Sequence, residues 1–303
     1  MNRKEISSVL ASAGLRPQHQ FGQNFMVDEG VLKAVAEAGE IGAEDVVLEV
    51  GPGVGNLTRV LSGMASRGAV LAVDIDRKLL PAAKSWHGGL KNVTWMLADV
   101  LAGKHAVNPE VMGVLAELHE KHLGGEVKLV SNLPYNVASP LIAEILVGNA
   151  KLKTQISKPG VWISRLAFTV QWEVGTRMAA EPGTRDYGAL GVLIQALAKV
   201  EIVRKIPPGA FWPAPKVNSA LVVVVPDAEK IDRVADVLRL QKLLSGAFGH
   251  RRQTLGNALK HYFQDEWRQD RKERLVAAGF DLGKRPEELS VEEWLRVDAV
   301  LAE

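Results

Sequence analysis

The chain has 303 residues, 47% hydrophobic and 24% charged, a balance that excludes a disordered protein. Because it contains no cysteine, disulfides, thiolate zinc sites, iron–sulfur clusters and cysteine nucleophiles are excluded. Thirty-seven Lys and Arg residues against 35 Asp and Glu residues give a net charge of +2, too small by itself to imply a polyanionic partner.

The apolar pattern predicts neither a membrane span nor a secretion signal. The apolar run over 220–225 stops at Pro226, whereas a membrane helix needs about 20 such residues. No apolar signal core follows residues 1–5. Together with the lack of cysteine, these observations predict a cytoplasmic protein without a membrane partner.

Short β-rich runs alternate with helical patterns over the first two hundred residues, which is typical of an α/β sheet. The predicted strands cover 46–50, 69–74, 93–97, 127–131, 162–170, 200–206 and 220–225. The predicted helices cover 31–38, 57–64, 78–84, 111–122, 139–147, 172–180 and 189–198. This order predicts a doubly wound, seven-stranded parallel sheet. The last two strands are joined by a Pro-rich connection without a helix, so they are predicted to be an antiparallel pair.

The pattern after residue 227 is wholly helical. Helices are predicted over 231–246, 252–263, 267–278 and 291–301. We therefore predict an α/β domain over 1–227 and a smaller all-helical domain over 228–303.

Charge is unevenly distributed in the helical part. Residues 239–274 contain nine Lys and Arg against four Asp and Glu, and residues 281–303 contain three against seven. A basic stretch followed by an acidic tail can be the footprint of a nucleic-acid-binding surface, although a solvated helix face gives the same pattern.

A glycine-rich bend follows the first predicted strand of the sheet. Gly51, Gly53 and Gly55 allow the backbone to approach a ligand closely. Their spacing differs from that of dinucleotide-binding loops, and no Gly-Lys-Ser/Thr of a phosphate-binding loop follows. A strand-to-helix turn without a ligand remains an equal alternative.

Polar residues also end the next three strands. Asp74 is suited to the hydroxyls of a ribose, and Asp99 to an exocyclic amine. The tetrapeptide of Asn132, Leu133, Pro134 and Tyr135 ends the fourth strand. Because ligands of such sheets bind beyond the carboxyl ends of the strands, these residues are predicted to form one site.

The tetrapeptide suits chemistry on an adenine amine, whose lone pair is delocalised into the ring. The Asn132 amide oxygen and the Leu133 carbonyl can accept hydrogen bonds from that amine and turn its lone pair towards an electrophile. Pro134 frees the Leu133 carbonyl from a strand ladder, and Tyr135 offers a stacking face.

These motifs closely resemble those of the small-subunit ribosomal RNA adenine dimethyltransferases, from residue 20 to about residue 259. Phe21–Phe25 resembles the family's N-terminal signature, and residues 49–53 its S-adenosylmethionine loop. Further similar blocks cover 186–188, 207–211, 213–217 and 247–257. The resemblance implies a class I, Rossmann-like methyltransferase that uses S-adenosylmethionine, without a metal, and acts as a monomer. It also implies dimethylation of two adjacent adenines near the 3′ end of small-subunit rRNA.

The resemblance further implies roles for individual residues. Those implied to bind the cofactor are Asn24, Met26, Gly51, Asp74, Asp99 and Asn132. Phe211 is implied as a second stacking face opposite Tyr135, and the alternative is a hydrophobic plug between two prolines. Arg251 and Arg252 are implied to meet rRNA from the basic stretch, and the alternative is that they cap or pair with acidic neighbours such as Glu173 or Asp227.

The chain also departs from the family pattern. Trp212 and Asn218 are unusual, and residues 103–125 and 153–160 look like insertions, the first with an extra helix. On that insertion His119 and His122 are better explained as a solvated helix face than as metal ligands.

Four other functions are compatible with parts of this pattern. They are a large-subunit rRNA methyltransferase of the macrolide-resistance type, a DNA adenine methyltransferase, a mainly non-catalytic rRNA-binding or transcription factor, and a dinucleotide oxidoreductase.

Overall fold

A computed structural model describes residues 1–17, 23–103, 106–154 and 160–302. Two compact units are found, one formed by 1–175 with 201–225 and the other by 176–200 with 226–303. The division after Val225 lies close to the predicted boundary at residue 227. The predicted α/β domain also includes 176–200, which the structure groups with the helical residues, so the 1–227 and 228–303 assignment stays a prediction.

Among the described residues, the strands of both sheets and seven helices lie wholly or mainly in the larger unit. Its strands are β1 (Phe25–Met26), β2 (Val46–Val50), β3 (Ala69–Asp74), β4 (Val93–Leu97), β5 (Val127–Asn132), β6 (Ile163–Gln171), β7 (Ala198–Ile206), β8 (Phe211–Trp212) and β9 (Ser219–Pro226). Its helices are α1 (Arg3–Ser12), α2 (Glu29–Ala38), α3 (Asn56–Met64), α4 (Leu79–Trp86), α5 (Pro109–Lys121), α6 (Tyr135–Thr154) and α7 (Trp172–Met178). The first three residues of β7, the last of β9 and the end of α7 are grouped with the other unit.

The main sheet has seven strands in the order β4-β3-β2-β5-β6-β9-β7. Strands β2 to β6 are parallel wherever they are paired, and β9 runs antiparallel to β6. The seven-stranded α/β prediction is therefore confirmed. Strand β9 lies between β6 and β7 and pairs antiparallel with β6. This pairing joins two strands that are not consecutive in the chain, and it was not predicted from the sequence.

A small second sheet was not predicted. It pairs β1 with β8, so that Met26 lies opposite Phe211 and Phe25 opposite Trp212. Each strand has only two residues, too few for a periodic pattern to reveal it. Helix α1 was also missed, and it buries Ile6 and Leu10 against Phe25.

The smaller unit is helical and packs around aromatic rings. Its further helices are α8 (Ala189–Leu197), α9 (Ala228–Asp232), α10 (Val237–Gly249), α11 (Leu255–Phe263), α12 (Gln269–Ala277) and α13 (Val291–Ala302). The ring of Phe248 lies 6.1 Å from Tyr187 and 5.5 Å from Trp294. Tyr187 and Phe248 belong to the family-like sequence blocks, and in this structure they form the core of the unit.

The helix predicted over 231–246 is two helices in the structure. The Asp236 carboxylate accepts hydrogen bonds from the backbone amides of Leu238 and Arg239, and this cap begins α10.

Part of the basic stretch is neutralised by the acidic tail. The Arg239 guanidinium donates two hydrogen bonds of 2.8 Å to the carboxylate of Asp298, which is 3% exposed. Lys284 lies 3.8 Å from Glu293 in a second, more exposed pair. Of these two cations, Arg239 belongs to the basic stretch and Lys284 to the acidic tail, so the first pair alone removes a charge from the predicted nucleic-acid footprint.

Removal of the Arg239 charge should destabilise the smaller unit. Arg239→Leu leaves a buried carboxylate without its partner and should lower the free energy of unfolding by about 3 kcal/mol. Chemical denaturation measures this change. Lys284→Ala, which breaks the exposed pair, is the control and should cost less than about 1 kcal/mol. Equal, small effects of both changes would show that burial of Asp298 contributes nothing.

Candidate functional site

A cavity of about 320 Å³ lies at the carboxyl ends of the parallel strands of the larger unit. Residues after β2, β3, β4 and β5 line it, together with the segment around β1. Its walls include Asn24, Met26, Glu49, Gly51, Asp74, Asp99, Asn132, Leu133, Pro134 and Tyr135. All six residues predicted to bind the cofactor thus come together with the whole tetrapeptide. Their roles stay predictions.

Gly51 occupies a position that strongly favours glycine. Its φ is +70°, and a Cβ on it would lie 3.0 Å from Cγ of Pro134. Its amide donates a 2.8 Å hydrogen bond to the Val73 carbonyl, which ties the bend to β3. The glycine loop and the tetrapeptide therefore form adjoining walls of one cavity.

The two predicted aspartates differ in their surroundings. Asp74 ends β3, and burial together with the neighbouring Asp76 charge raises the pKa of its carboxyl. Asp99 is exposed, and its carboxylate accepts a 2.9 Å hydrogen bond from the Leu101 amide, which shapes the turn after β4. A ligand in the cavity would therefore meet one enclosed and one open carboxylate.

Asp76 was missed by the sequence reading. It is 5% exposed and accepts hydrogen bonds from the amides of Lys78 and Leu79, where α4 begins. It also accepts a 2.8 Å hydrogen bond from the Gln23 side chain. The Asp-x-Asp spacing with Asp74 was the available signal, because a second carboxylate after a strand often caps the next helix.

The N-terminal segment contributes backbone carbonyls to the site wall. The Asn24 carbonyl accepts a hydrogen bond from the Asn132 amide nitrogen, and the Met26 carbonyl accepts one from the Asn56 amide nitrogen, both at 2.9 Å. Phe21 and Gly22 of the predicted signature lie outside the described residues, as do 155–159 of the second predicted insertion.

Asn132 is held by two hydrogen bonds at the end of β5. Its amide nitrogen donates to the Asn24 carbonyl, and its amide oxygen accepts from the Thr169 hydroxyl at 2.5 Å. An amide oxygen has two lone pairs, so one remains for a ligand in the cavity.

The rest of the tetrapeptide forms a turn into α6. Leu133 is 2% exposed, and no hydrogen bond to its carbonyl is found among the described residues. The Pro134 carbonyl accepts from the Val137 and Ala138 amides and so starts the helix. The Tyr135 hydroxyl lies 3.2 Å from the Ser219 hydroxyl of β9, which positions the ring at the cavity wall.

The predicted stacking role of Phe211 does not fit this conformation. Its side chain is 3% exposed, belongs to the hydrophobic core and is not part of the cavity wall. Pairing of β8 with β1 places Phe211 opposite the buried Met26. The stacking role was implied by the family resemblance, and the pairing of these two distant strands explains why the side chain is buried in the core instead.

Arg251 and Arg252 lie in the turn between α10 and α11, whereas helix was predicted from residue 252. Thr254 caps α11, so the helix begins at Leu255. The Arg251 guanidinium donates a 3.0 Å hydrogen bond to the Arg185 carbonyl, and Arg252 is exposed. Asp227, one of the acidic partners considered, pairs with Lys199.

The described residues show neither a metal-binding cluster nor a membrane-spanning helix. Among the described residues, no group of three or more His, Cys, Asp or Glu side chains could hold a metal. His119 contacts the Gly125 carbonyl at 3.1 Å and closes the turn after α5, the extra helix predicted in the first insertion. Within the same residues, no helix is long and apolar enough to cross a membrane.

Glu49, the first residue of the loop that resembles the family's S-adenosylmethionine loop, is a buried carboxyl group in the cavity wall. It is 2% exposed, and its Oε2 atom has no hydrogen-bond partner among the described residues. Burial, with a smaller contribution from the Asp74 charge, raises the pKa of its carboxyl to about 8. Thr58 opposes this rise only in part. A proton on Glu49 therefore stabilises the folded cavity in the absence of a cation.

Glu49 should make folding stability depend on pH. Its pKa is higher in the folded than in the unfolded chain, so the folded state binds the extra proton and loses stability as pH rises from 4.5 towards 8. Glu49→Gln removes this dependence. Between pH 6 and 9 the difference in unfolding free energy between the variant and the parent should change by about 2 kcal/mol in favour of the variant.

Denaturant titrations across that pH range measure the difference. Glu120→Gln, at an exposed position of α5, is the control and should leave the pH dependence as it is. Parallel curves for the parent and Glu49→Gln would contradict the raised pKa.

Comparison with known proteins links this chain to one family. A family model described as ribosomal RNA adenine dimethylase matches residues 14–302. A curated relative named ribosomal RNA small subunit methyltransferase A, from Anaeromyxobacter sp. (strain K), is 38% identical and covers 95% of this chain and 94% of its own length. One of the same name from Alkaliphilus metalliredigens is 34% identical over 96% and 93%.

Solved structures show the same fold. A dimethyladenosine transferase from Plasmodium falciparum has a TM-score of 0.65 at 23% identity, and the match covers 90% of this chain and 95% of that one. The 23S rRNA methyltransferase ErmE has a TM-score of 0.59 at 24% identity, with 92% and 100% covered. At these identities the likeness concerns the fold alone.

Proposed function

The chain belongs to the ribosomal RNA adenine dimethylase family, and we propose that it dimethylates two adjacent adenines near the 3′ end of small-subunit rRNA. The methyl donor is S-adenosylmethionine. The observation that carries the proposal is Asn132, which lines the same cavity as Gly51, Asp74 and Asp99 and whose amide oxygen keeps one lone pair beyond its bond to Thr169. The residue proposed to accept from the target amine and the residues proposed to bind the cofactor therefore line the same cavity.

The cavity wall fits the cofactor in shape and charge. Gly51 lines the cavity without a side chain, and a Cβ there would crowd Pro134, so the backbone is free to approach the methionine portion of the cofactor. Asp74 would accept from the ribose hydroxyls, and Asp99 from the adenine amine. Buried Glu49 provides negative charge when ionised, which complements a cationic ligand. When bound, S-adenosylmethionine supplies an electrophilic methyl group on a sulfonium centre.

Asn132 and Leu133 are proposed to polarise the target amine. The remaining lone pair of the Asn132 amide oxygen and the Leu133 carbonyl each accept one N–H of adenine N6. The nitrogen lone pair is then directed out of the ring plane, forms the new N–C bond and takes up the methyl as the S–C bond breaks. Tyr135 stacks on the base, which must leave its own stack at a cost of a few kcal/mol.

Neither a general base nor a metal is part of the proposal. The methylated ammonium product is acidic enough to lose its proton to water. Displacement at a sulfonium centre releases a neutral thioether and so needs no Lewis acid. Positioning and hydrogen bonding therefore carry the catalysis.

The smaller unit is proposed to hold the rRNA through Arg251 and Arg252. The exposed Arg252 and the neighbouring Lys260 are suited to phosphate contacts, and the 3.0 Å contact of Arg251 with the Arg185 carbonyl fixes one guanidinium at the surface. We further propose that the protein acts in the cytoplasm, and that it acts as a monomer, because described residues of a single chain line the cavity from several sides.

The other functions have less support. Small-subunit names recur among relatives of 32–38% identity, which favours this substrate over large-subunit rRNA. A non-catalytic assembly factor would have no need for a glycine at Gly51 pressed against Pro134, or for an oriented Asn132 amide in the same cavity.

Loss of the Asn132 amide should slow methyl transfer. Asn132→Ala removes one preorganised acceptor and should lower turnover on unmethylated small subunits by on the order of 10²–10³. Transfer of labelled methyl groups to purified particles measures turnover, and thermal melting reports on the fold. Near-normal turnover by a folded Asn132→Ala protein would show that the tetrapeptide does not polarise the amine.

Loss of Arg251 and Arg252 should weaken rRNA binding in a salt-dependent way. The double change to Ala should reduce the slope of log affinity against log salt by roughly 1 to 2, because about two phosphate contacts disappear. Particle binding across a salt series measures the slope. Arg3→Ala with Lys4→Ala removes two exposed charges from α1 and serves as the control. Equal slopes for both double variants would place rRNA docking elsewhere.

A further inference from the structure

We propose that Thr169 is a positioning residue that orients the Asn132 amide for methyl transfer. This inference rests on the proposed role of Asn132 as an acceptor for the target amine. Thr169 touches neither cavity nor substrate, so its effect would be exerted wholly through Asn132.

The strand register brings the two side chains together. Asn132 is the last residue of β5, and Thr169 lies directly opposite it on the parallel strand β6. Strand β9 covers the other side of β6, with Leu221 opposite Thr169. Thr169 is consequently 0% exposed, and its hydroxyl reaches the Asn132 amide oxygen at 2.5 Å.

The two partners of Asn132 together choose one orientation of its amide. The Asn24 carbonyl can only accept, so the amide nitrogen must face it. The Thr169 hydroxyl is then left to donate to the oxygen. A turn of the amide by 180° would put its oxygen against the Asn24 carbonyl, and two acceptors would face each other. The favoured orientation keeps an oxygen lone pair available where the amine must bind.

The hydroxyl of Thr169 is the part that matters for this role. Valine has the same shape but no hydrogen-bond donor. Thr169→Val therefore leaves the Asn132 amide oxygen with one partner fewer, and the Asn132 side chain becomes freer to rotate. Serine keeps the donor. A packing role would depend on shape and a positioning role on the hydroxyl, and the two substitutions separate these possibilities.

The experiment measures kcat, KM for unmethylated small subunits and the cofactor Kd for both variants. Thr169→Val should lower kcat on the order of tenfold, because a small misplacement of a catalytic group is costly. KM and cofactor Kd should change by less than about threefold. Thr169→Ser should stay near the parent. Thr94→Val, on β4 and outside the cavity wall, is the control for loss of a strand hydroxyl.

A double-mutant cycle with Asn132→Ala completes the test. In single-turnover assays, Thr169→Val should have no further effect once Asn132 is alanine, because the hydroxyl then has nothing to orient. If Thr169→Val melts below the assay temperature, Thr169→Ala, which also lacks the hydroxyl, replaces it.

Three results would overturn the inference. They are an unchanged kcat in Thr169→Val, an equal loss in Thr169→Ser, and an equal loss when Asn132 is already alanine. Full turnover by Asn132→Ala would instead refute the proposed role of the tetrapeptide itself, so the two failures can be distinguished.

Discussion

The parallel register of β5 between β2 and β6 is the constraint on which the site depends. It brings the ends of several strands to one edge of the sheet, although their residues are far apart in the chain. Asn132 occupies the end of the central strand of this group, where Asn24 and Thr169 can both reach its side chain. A slip of one residue would turn Asn132 to the other face and remove both hydrogen bonds.

A second constraint joins donor and acceptor sites. The bend at Gly51 and the turn at Pro134 lie so close together that a Cβ on Gly51 would be 3.0 Å from Cγ of Pro134. The loop proposed to hold the methyl donor is therefore in contact with the turn proposed to present the amine. In close-packed protein interiors such contacts transmit displacement, so the two reacting centres are held in a fixed relation.

The sheet was predicted well because each strand is a short apolar run that can be recognised locally, between helical patterns. The polar residues that end these strands, such as Asp74 and Asn132, are visible in the same short windows of sequence. Features that depend on pairing between distant segments were not predictable in this way. The burial of Phe211 follows from a two-residue strand pair, and the hydrogen bond of Thr169 to Asn132 follows from the register of two strands. Likewise Arg239 looked like surface charge until the fold placed it against Asp298.

The proposed hydrogen bonds from the target amine to Asn132 and Leu133 are tested most directly by a high-resolution crystal structure with S-adenosylhomocysteine and adenosine bound. We expect adenine N6 to lie within hydrogen-bonding distance, about 3 Å, of both the Asn132 amide oxygen and the Leu133 carbonyl. We also expect Asn132 to keep its hydrogen bonds to Asn24 and Thr169. An adenine amine held by other groups, with the Asn132 amide turned away from the cavity, would show that Asn132 and Leu133 do not polarise the target amine.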